Sequence, residues 1–565
     1  MKIAPSGRIL ARPLLALGAM AGLLAGCGGD GNNEVAEARS CAQMAGLSVA
    51  AADIGLATRG AKVTGATAVA ASGSGATAVA AFCRVKAEIA PVDAAASPIK
   101  MEVNLPENWN GKALMYGGGG LNGSILSTAG TVRLQPANVA IPLGRGYATF
   151  GSDSGHSGTT SDGTFALNDE MLRNYAHEAL KKTKDVATQL IQQRYAKAQD
   201  KLYFHGSSNG GKEALAMIQR YPADIDAAMI FWPAATFGTQ QLPWARLSKA
   251  FAVPGAWPSL AKRKLVLDAA VAACDGLDGV ADGVISHSRL CQATFDPSTA
   301  IFQGRPVRCA SGSDESDACL SDVQIGALKT MAAPMRFEFA LAGGQASAPG
   351  LPVWGIDLGT RAGDSVATTL LSQGLGTIAP AYPAAAGMPY LHILTEQFIK
   401  YFVARDTSAS WATLDPANPV PHVARISELT ALLDHAKTDL SAFRNRGGKI
   451  LLLHGSDDQL IPFEASERYY QGVVSSMGAA TVGSFLKFYE LPGTAHSGVG
   501  SSFTPTWDVL GALDSWAAAG QAPVAPTVTD TYAVPGRTRP LCEYPQYPRF
   551  VAGDVNLAAS FRCVD

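Results

Sequence analysis

The sequence predicts an α/β protein in which a mostly parallel sheet, covered on both faces, is interrupted by a large inserted lid domain. Three observations carry this expectation. Short apolar runs alternate with helical stretches over residues 99–232, the alternation lapses between 234 and 435, and it resumes at 447–455 and 485–493.

Taken in order, IKMEV (99–103) and KALMY (112–116) read as strands, the second running into a glycine loop, and RGYATF (145–150) as a third. Apolar runs of this length between turn residues suit buried strands. Residues 168–195 read as a long helix, because Leu172, Tyr175, Ala179, Val186 and Leu190 fall on one face while Lys181 and Lys184 lie elsewhere. KLYFHG (201–206) is a strand, followed by a helix from about 209 to 221 that Pro222 ends. AMIFW (228–232) is a further strand ahead of Pro233. Such order implies a parallel sheet with helices on both faces. Between 234 and 435, Asp-Gly turns, cysteines and Pro-rich stretches replace the alternation, which marks the insertion. GGKILLLHG (447–455) and FLKFYELPG (485–493) then return to the sheet. The repetitive GATAVAASGSGATAVAAF (65–82) is too short for a repeat array and reads as strand and loop, tied down by Cys83. The expected organisation is a first sheet part at 41–233, a lid at 234–436 and a second sheet part at 437–565.

Composition bounds the function. The 565 residues carry 45 Lys plus Arg against 47 Asp plus Glu, a net charge of −2, so no basic excess exists to hold nucleic acid. Hydrophobic residues at 47% and charged residues at 16% fit a large core and exclude global disorder. At the N-terminus, Lys2, Arg8 and Arg12 precede a short apolar stretch that ends in Leu24-Ala25-Gly26-Cys27. It is too short for a membrane span and suits a signal sequence. The ending resembles a bacterial lipobox with Cys27 as the lipidated residue; the alternative is an ordinary cleaved signal. Residues 1–27 are thus the expected signal and 28–40 a flexible tether. The protein is expected to be exported, as a periplasmic or cell-surface lipoprotein or a secreted form, touching membrane only through such a lipid. Of 9 cysteines, eight remain without Cys27, an even number in an oxidising compartment. Parity cannot choose among roughly a hundred pairings. Sequence neighbours give the simplest set: Cys41–Cys83, Cys274–Cys291, Cys309–Cys319 and Cys542–Cys563. None has zinc-knuckle spacing.

Gly206-Ser207-Ser208-Asn209-Gly210 is the one G-x-S-x-G in the chain. In a glycine-rich sequence the string is weak, but a strand enters it and a helix leaves it, as a nucleophile elbow requires. The alternative is a glycine-rich turn with an inert serine. A serine hydroxyl needs a base, and the base an orienting carboxylate. In α/β hydrolases the chain order is Ser, acid, His. ILLLHGSDDQLIP supplies Asp457 and Asp458 after a late strand, and His496 is the one histidine beyond them. His205 and His454 sit at strand ends as neighbours of the site or core residues, and His156 reads as structural. Two backbone N–H donors must face the developing oxyanion. Asn209 follows the nucleophile, and the glycine loop 117–123 supplies the other; a dinucleotide loop is the weaker reading of those glycines.

The segments WNGKALMYGGGGLNG, GYATFGSDSGH, GSSNGGKEALAMIQRYPADIDAAM, CDGLDGVADGVI, HGSDDQLIP, LPGTAHSG and RTRPLCEYPQYPRF resemble, in order, the motifs of the tannase/feruloyl esterase family. The likeness runs from about Cys41 to Cys563. It implies an α/β-hydrolase fold with a large lid and carries Ser208, Asp458 and His496 over as the triad. Asp458 rather than Asp457 matches the family acid, Gly120 and Asn209 match the oxyanion-hole positions, and the neighbour pairing of the cysteines matches the family's. One departure stands out. The family places bonded cysteines before the nucleophile and after the histidine, where this chain has Ser207 and Ser497, so the base loop is expected to be less tightly held.

CDGLDGVADGVI presents Asp275, Asp278 and Asp282 at short intervals, with glycines that let the carbonyls of Val280 and Val284 point inward. Hard oxygen ligands in a flexible loop suit Ca²⁺. Spacing alone leaves calcium and a solvated Asp-Gly turn open; the resemblance implies a structural calcium in the lid and no organic cofactor. The expected activity is that of an exported serine esterase acting on a small aromatic ester: a feruloyl, galloyl or phthalate half-ester. The alternatives are an esterase for non-aromatic esters and a non-catalytic surface-binding lipoprotein. Trp354, Tyr390, Phe398 and Tyr401 are lid aromatics that either line the pocket or fill the lid core.

Overall fold

The computed structural model describes residues 37–565; the expected signal at 1–27, with Cys27, and most of the 28–40 tether lie outside the described residues. Where the description begins, the Arg39 N–H donates to the Gln193 carbonyl, and Ser40 caps the short helix Cys41–Met44.

Ten strands form one sheet: β1 (Ser48–Val49), β2 (Ala61–Val69), β3 (Phe82–Ile89), β4 (Ile99–Pro106), β5 (Lys112–Tyr116), β6 (Ala148–Ser152), β7 (Lys201–Ser207), β8 (Ala227–Phe231), β9 (Lys449–Gly455) and β10 (Leu486–Leu491). Their spatial order is β1-β2-β3-β4-β6-β5-β7-β8-β9-β10. β1 to β4 run antiparallel, as do β4 and β6. From β6 to β10 every neighbour is parallel. The segment read as strand and loop at 65–82 is the end of β2, a bridge between Ser72 and Val79, and the start of β3.

Every residue of β8 is buried, and only the first residue of β7 and of β9 is partly exposed. Runs without polar alternation encode a sheet with both faces out of water. On one face Phe204, Ile230 and Leu452 pack with Leu190 of α1 (Ala179–Tyr195) and Leu215 of α2 (Asn209–Arg220). On the other, Tyr203, Met229 and Leu453 meet Val509, Leu513 and Trp516 of the helix Val509–Ala519. The stretch predicted as one helix begins at Asp169–Arg173, passes through a π turn at Asn174–Glu178 and continues as α1. The wider turn buries Asn174, Tyr175 and Ala176 together, and Tyr175 reaches the site described below.

Between β8 and β9 the chain adds no strand to this sheet. Residues 232–448 instead form helices and two small two-stranded ladders around an apolar cluster that includes Trp244, Leu328, Leu394, Phe402 and Leu429 and is shared with Phe165, Leu172 and Tyr175 of the sheet domain. Four disulfides join Cys41–Cys83, Cys274–Cys291, Cys309–Cys319 and Cys542–Cys563. The first fastens the entering helix to β3, and the next two close loops within the insertion. Among the described residues no helix is long and apolar enough to cross a membrane.

Candidate active site

β7 ends at Ser207 and α2 begins at Asn209, so Ser208 alone makes the turn. Its backbone sits at φ 59°, ψ −123°. A non-glycine residue there carries strain of about 1–3 kcal/mol that its surroundings must hold in place. They do so through hydrogen bonds: the Ser208 N–H donates to the Phe231 carbonyl at 3.0 Å, and its own carbonyl accepts from the N–H of Lys212 and of Ala234 at 3.1 Å each. The flanking glycines are required by close approach. A Cβ on Gly206 would lie 2.0 Å from the Gly210 oxygen, and one on Gly210 would lie 2.7 Å from the Gly118 oxygen.

Three strand ends converge on this hydroxyl. His496, in the loop after β10, places Nε2 at 3.0 Å from Ser208 Oγ and Nδ1 at 2.8 Å from Asp458 Oδ2. Asp458, in the loop after β9, is fully buried, and its Oδ1 accepts the N–H groups of Leu460 and Ile461 at 2.9 and 2.8 Å. Burial alone would raise its carboxyl, but the charge of His496 and the hydrogen bonds from His454 and His496 override that and hold it well below the usual carboxylate range. An ionised acceptor at Nδ1 fixes that nitrogen as the donor and leaves Nε2 free to accept the serine proton.

The other carboxylate after β9 faces elsewhere. Asp457 accepts from Ser456 Oγ at 2.7 Å, and burial, with Glu490 and Asp357 nearby, pushes it up to about 7. His454 sits behind Asp458, bonded to Ser466 Oγ and close to the Ile461 carbonyl. The N–H of Arg133 is 3.0 Å from His205 Nε2, and burial pushes that imidazole down to about 3. His156 stacks on Phe165 and lies 2.9 Å from the Leu121 carbonyl. His156 is thus packed, while His454 and His205 are neighbours of the site, the first beside the Asp458 carboxylate at 3.3 Å and the second against the Arg133 N–H.

Asn209 opens α2, so its N–H has no intrahelical acceptor. Gly120 adopts φ +54°, its carbonyl accepts from Tyr175 at 3.2 Å, and its N–H donates to no protein acceptor among the described residues. Sequence reasoning missed the residue that joins the two. Glu213, one turn into α2, accepts from the Gly118 N–H at 2.7 Å, Asn122 Nδ2 at 2.5 Å and Asn209 Nδ2 at 3.1 Å. Its carboxylate ties the glycine loop to the first turn of α2, although burial raises its pKa. A buried acid in a helix that follows an elbow was the available signal. The loop carrying His496 is not left open: the His496 N–H reaches Gln459 Oε1 at 3.3 Å, Gln373 Nε2 donates to Ser497 Oγ at 2.7 Å, and Arg133 donates to the Ser497 carbonyl.

Of the four aromatics in the insertion, Trp354 and Phe398 are buried in its core and Tyr401 packs against that core. Tyr390 reaches the site. Its hydroxyl donates to the Thr160 carbonyl at 3.0 Å and stands 2.6 Å from where a Cβ on Gly120 would lie.

In the Asp-Gly loop, Asp275 accepts from the Gly283 N–H, Asp278 Oδ1 from Val280 and Asp282 Oδ1 from Val284, while Asp282 Oδ2 pairs with Arg539. Gly279 and Gly283 turn the chain at φ 99° and 85°. Asp278 Oδ2 is buried without a hydrogen-bond partner, and burial pushes this carboxyl up to about 6. An orphaned buried carboxylate oxygen with two further carboxylates on the same loop would suit a hard cation, although Arg539 already pairs with Asp282 and the three carboxylates each turn to a backbone N–H.

Residues 83–564 match the family model described as tannase and feruloyl esterase. The chain belongs to that family. A mono(2-hydroxyethyl) terephthalate hydrolase of Piscinibacter sakaiensis is 30% identical over 85% of this chain and 84% of its own. An uncharacterized esterase of Agrobacterium fabrum is 36% identical over 93% of each chain. Among solved structures, feruloyl esterase B from Aspergillus oryzae superposes with a TM-score of 0.72 at 24% identity, covering 91% of this chain and 98% of that one, which shows the shared fold. This family member is a carboxylic ester hydrolase.

Proposed function

We propose that the protein hydrolyses esters of aromatic carboxylic acids through an acyl-enzyme on Ser208. The observation that carries this reading is the unbroken chain Ser208 Oγ–His496 Nε2 at 3.0 Å and His496 Nδ1–Asp458 Oδ2 at 2.8 Å. His496 takes the hydroxyl proton as Ser208 attacks the ester carbonyl. The buried Asp458 carboxylate holds the imidazole in the useful tautomer and stabilises its charged form. The N–H groups of Gly120 and Asn209 receive the oxyanion; one such donor is worth about 2.7–4 kcal/mol. His496 then protonates the leaving alcohol, and water, activated in the same way, releases the acid.

The aromatic preference is supported by the names of the relatives, among them the terephthalate half-ester hydrolase and a probable feruloyl esterase of Arthroderma benhamiae. Tyr390, which packs against the insertion core, brings its hydroxyl beside Gly120. A Ca²⁺ held by Asp275, Asp278 and Asp282, with the carbonyls of Val280 and Val284, would brace the insertion without entering the reaction. Four disulfides support export, and the lipobox-like ending at Cys27 supports a lipid anchor. The test is stoichiometric labelling of Ser208 by a fluorophosphonate, with steady-state rates on methyl ferulate, a gallate ester, the terephthalate half-ester and an aliphatic ester. Unlabelled protein, or full turnover by Ser208→Ala, refutes the mechanism; a preference for the aliphatic ester refutes the substrate class.

A further inference from the structure

Ser207 immediately precedes the candidate nucleophile, and Ser497 immediately follows the candidate base. One side chain touches both. Arg133, in the segment between β5 and β6, donates from Nε to Ser207 Oγ at 3.2 Å and from Nη1 to the Ser497 carbonyl at 3.3 Å. Its own N–H is 3.0 Å from His205 Nε2, in the strand that leads to the elbow, so its backbone is anchored at the same place as its side chain.

The surroundings show what these contacts constrain. Ser497 has φ 74° in the loop His496–Gly498, a conformation that an L side chain adopts at a cost and only under restraint. Its carbonyl is held by Arg133, and its hydroxyl by Gln373 at the end of α3 (Ser365–Gln373), a helix of the insertion. Gly498, next in line, has no room to move toward Trp232: a Cβ there would lie 2.9 Å from the indole. The guanidinium lines a cavity of about 450 Å³ with Gly117, Ser207, Ser497 and Gly498.

We infer that Arg133 is a positioning residue for the esterase reaction: its planar, forked guanidinium spans the nucleophile elbow and the base loop and holds Ser208 Oγ and His496 Nε2 in register. The inference rests on the roles proposed for Ser208 and His496. The chemistry suits arginine in particular. Two donors in a fixed plane satisfy two acceptors on different loops at once, which a lysine ammonium on its flexible stem does less well. Gln373 extends the same hydrogen-bonded path from Ser497 into the insertion, so the base loop is gripped by the first part of the sheet domain on one side and the insertion on the other. Side chains that lock reacting groups act on the chemical step, because an error of about 1 Å in their placement costs on the order of a hundredfold in rate.

The test compares wild type, Arg133→Ala and Arg133→Lys by the second-order rate of fluorophosphonate labelling, by kcat and KM on 4-nitrophenyl acetate, and by thermal melting. Arg133→Ala is expected to slow labelling and lower kcat by about tenfold or more, with KM within about threefold and melting nearly unchanged. Arg133→Lys should recover part of the loss. An unchanged labelling rate in Arg133→Ala overturns the inference, as does a rise in KM at constant kcat, which would make Arg133 a substrate-binding group. Should Arg133→Ala fail to fold, Ser207→Ala removes one acceptor only: a fall of about threefold in labelling supports the assignment and no fall overturns it. Wild-type protein that resists labelling altogether would instead remove the underlying assignment of Ser208.

Discussion

A methyl group on Gly120 tests the oxyanion site at its least forgiving point. The added Cβ would stand 2.3 Å from the Thr160 carbonyl oxygen, 2.6 Å from the Tyr390 hydroxyl and 2.9 Å from the Thr160 Cβ. Two of those atoms belong to backbone or to a stem that cannot swing aside. The φ of +54° adds about 1–2 kcal/mol for any L side chain. Relief therefore comes from moving residue 120 by about 1 Å, a shift known to cost on the order of a hundredfold when reacting groups lose alignment. Losing one oxyanion donor outright costs about 2.7–4 kcal/mol, or 10²–10³ in kcat. Glu213 still holds Gly118, Asn122 and Asn209, so the rest of the loop has an anchor and the fold should survive. Gly120→Ala is accordingly expected to lower kcat on 4-nitrophenyl acetate by about a hundredfold or more, with KM within a few-fold and a cooperative melt retained. A variant whose kcat stays within about threefold of wild type would show that the N–H of residue 120 does not face the oxyanion.

Further outcomes follow from the same contacts. Asp458→Asn leaves His496 free to adopt the wrong tautomer and should lower kcat by about 10³–10⁴; rates near wild type would show that another group orients the imidazole. Asp457, raised to about 7, favours the folded state in its neutral form below its unfolded pKa, and that contribution is lost as pH rises through 7. It is only partly covered and borders a cavity of about 560 Å³, so water moderates the effect. Asp457→Asn should then gain about 1 kcal/mol relative to wild type between pH 5 and pH 8 in urea melts, and a gain independent of pH counts against the assignment. Chelation should lower the melting temperature and added Ca²⁺ restore it, by about 2.7 kcal/mol at a hundredfold excess over Kd. Identical melts with and without the ion, together with no heat on titration, would leave the Asp-Gly loop as a turn.

The parallel part of the sheet was legible because β5, β7, β8 and β9 each carry a run of apolar residues, and α2 stops just before Pro222. KALMY matches β5 residue for residue, and KLYFHG and GGKILLLHG differ from β7 and β9 by one or two terminal residues. Ser208 and His496 could be picked out because each must follow a strand in a fixed chain order; that order left Asp457 and Asp458 both open, the family resemblance pointed to Asp458, and the structure brings Ser208, Asp458 and His496 together. The π turn at Asn174–Glu178 could not be read, since one widened turn leaves the apolar spacing almost unchanged. The insertion gave no pattern because its helices, among them Phe237–Ala252 with Pro243 inside it, are joined by disulfide-closed loops rather than by strands, so no alternation recurs. Glu213 and Arg133 escaped notice for a different reason: each acts on residues that are distant in sequence, and nothing in their own neighbourhoods records what they touch.

The insertion leaves after β8 and returns at β9, two strands that lie side by side in the sheet. Whatever its length or content, the path out and back closes on the same pair of rails. The nucleophile is anchored before the departure and the acid and base after the return, so the strands that carry them are neighbours whatever lies in between, while Ala234 and Gln373 of the insertion add contacts to Ser208 and Ser497. An exchange of residues 232–448 between relatives should thus alter which molecules gain entry, and it would keep the reacting trio in place only where the newcomer also supplies the partners that Ala234 and Gln373 give Ser208 and Ser497.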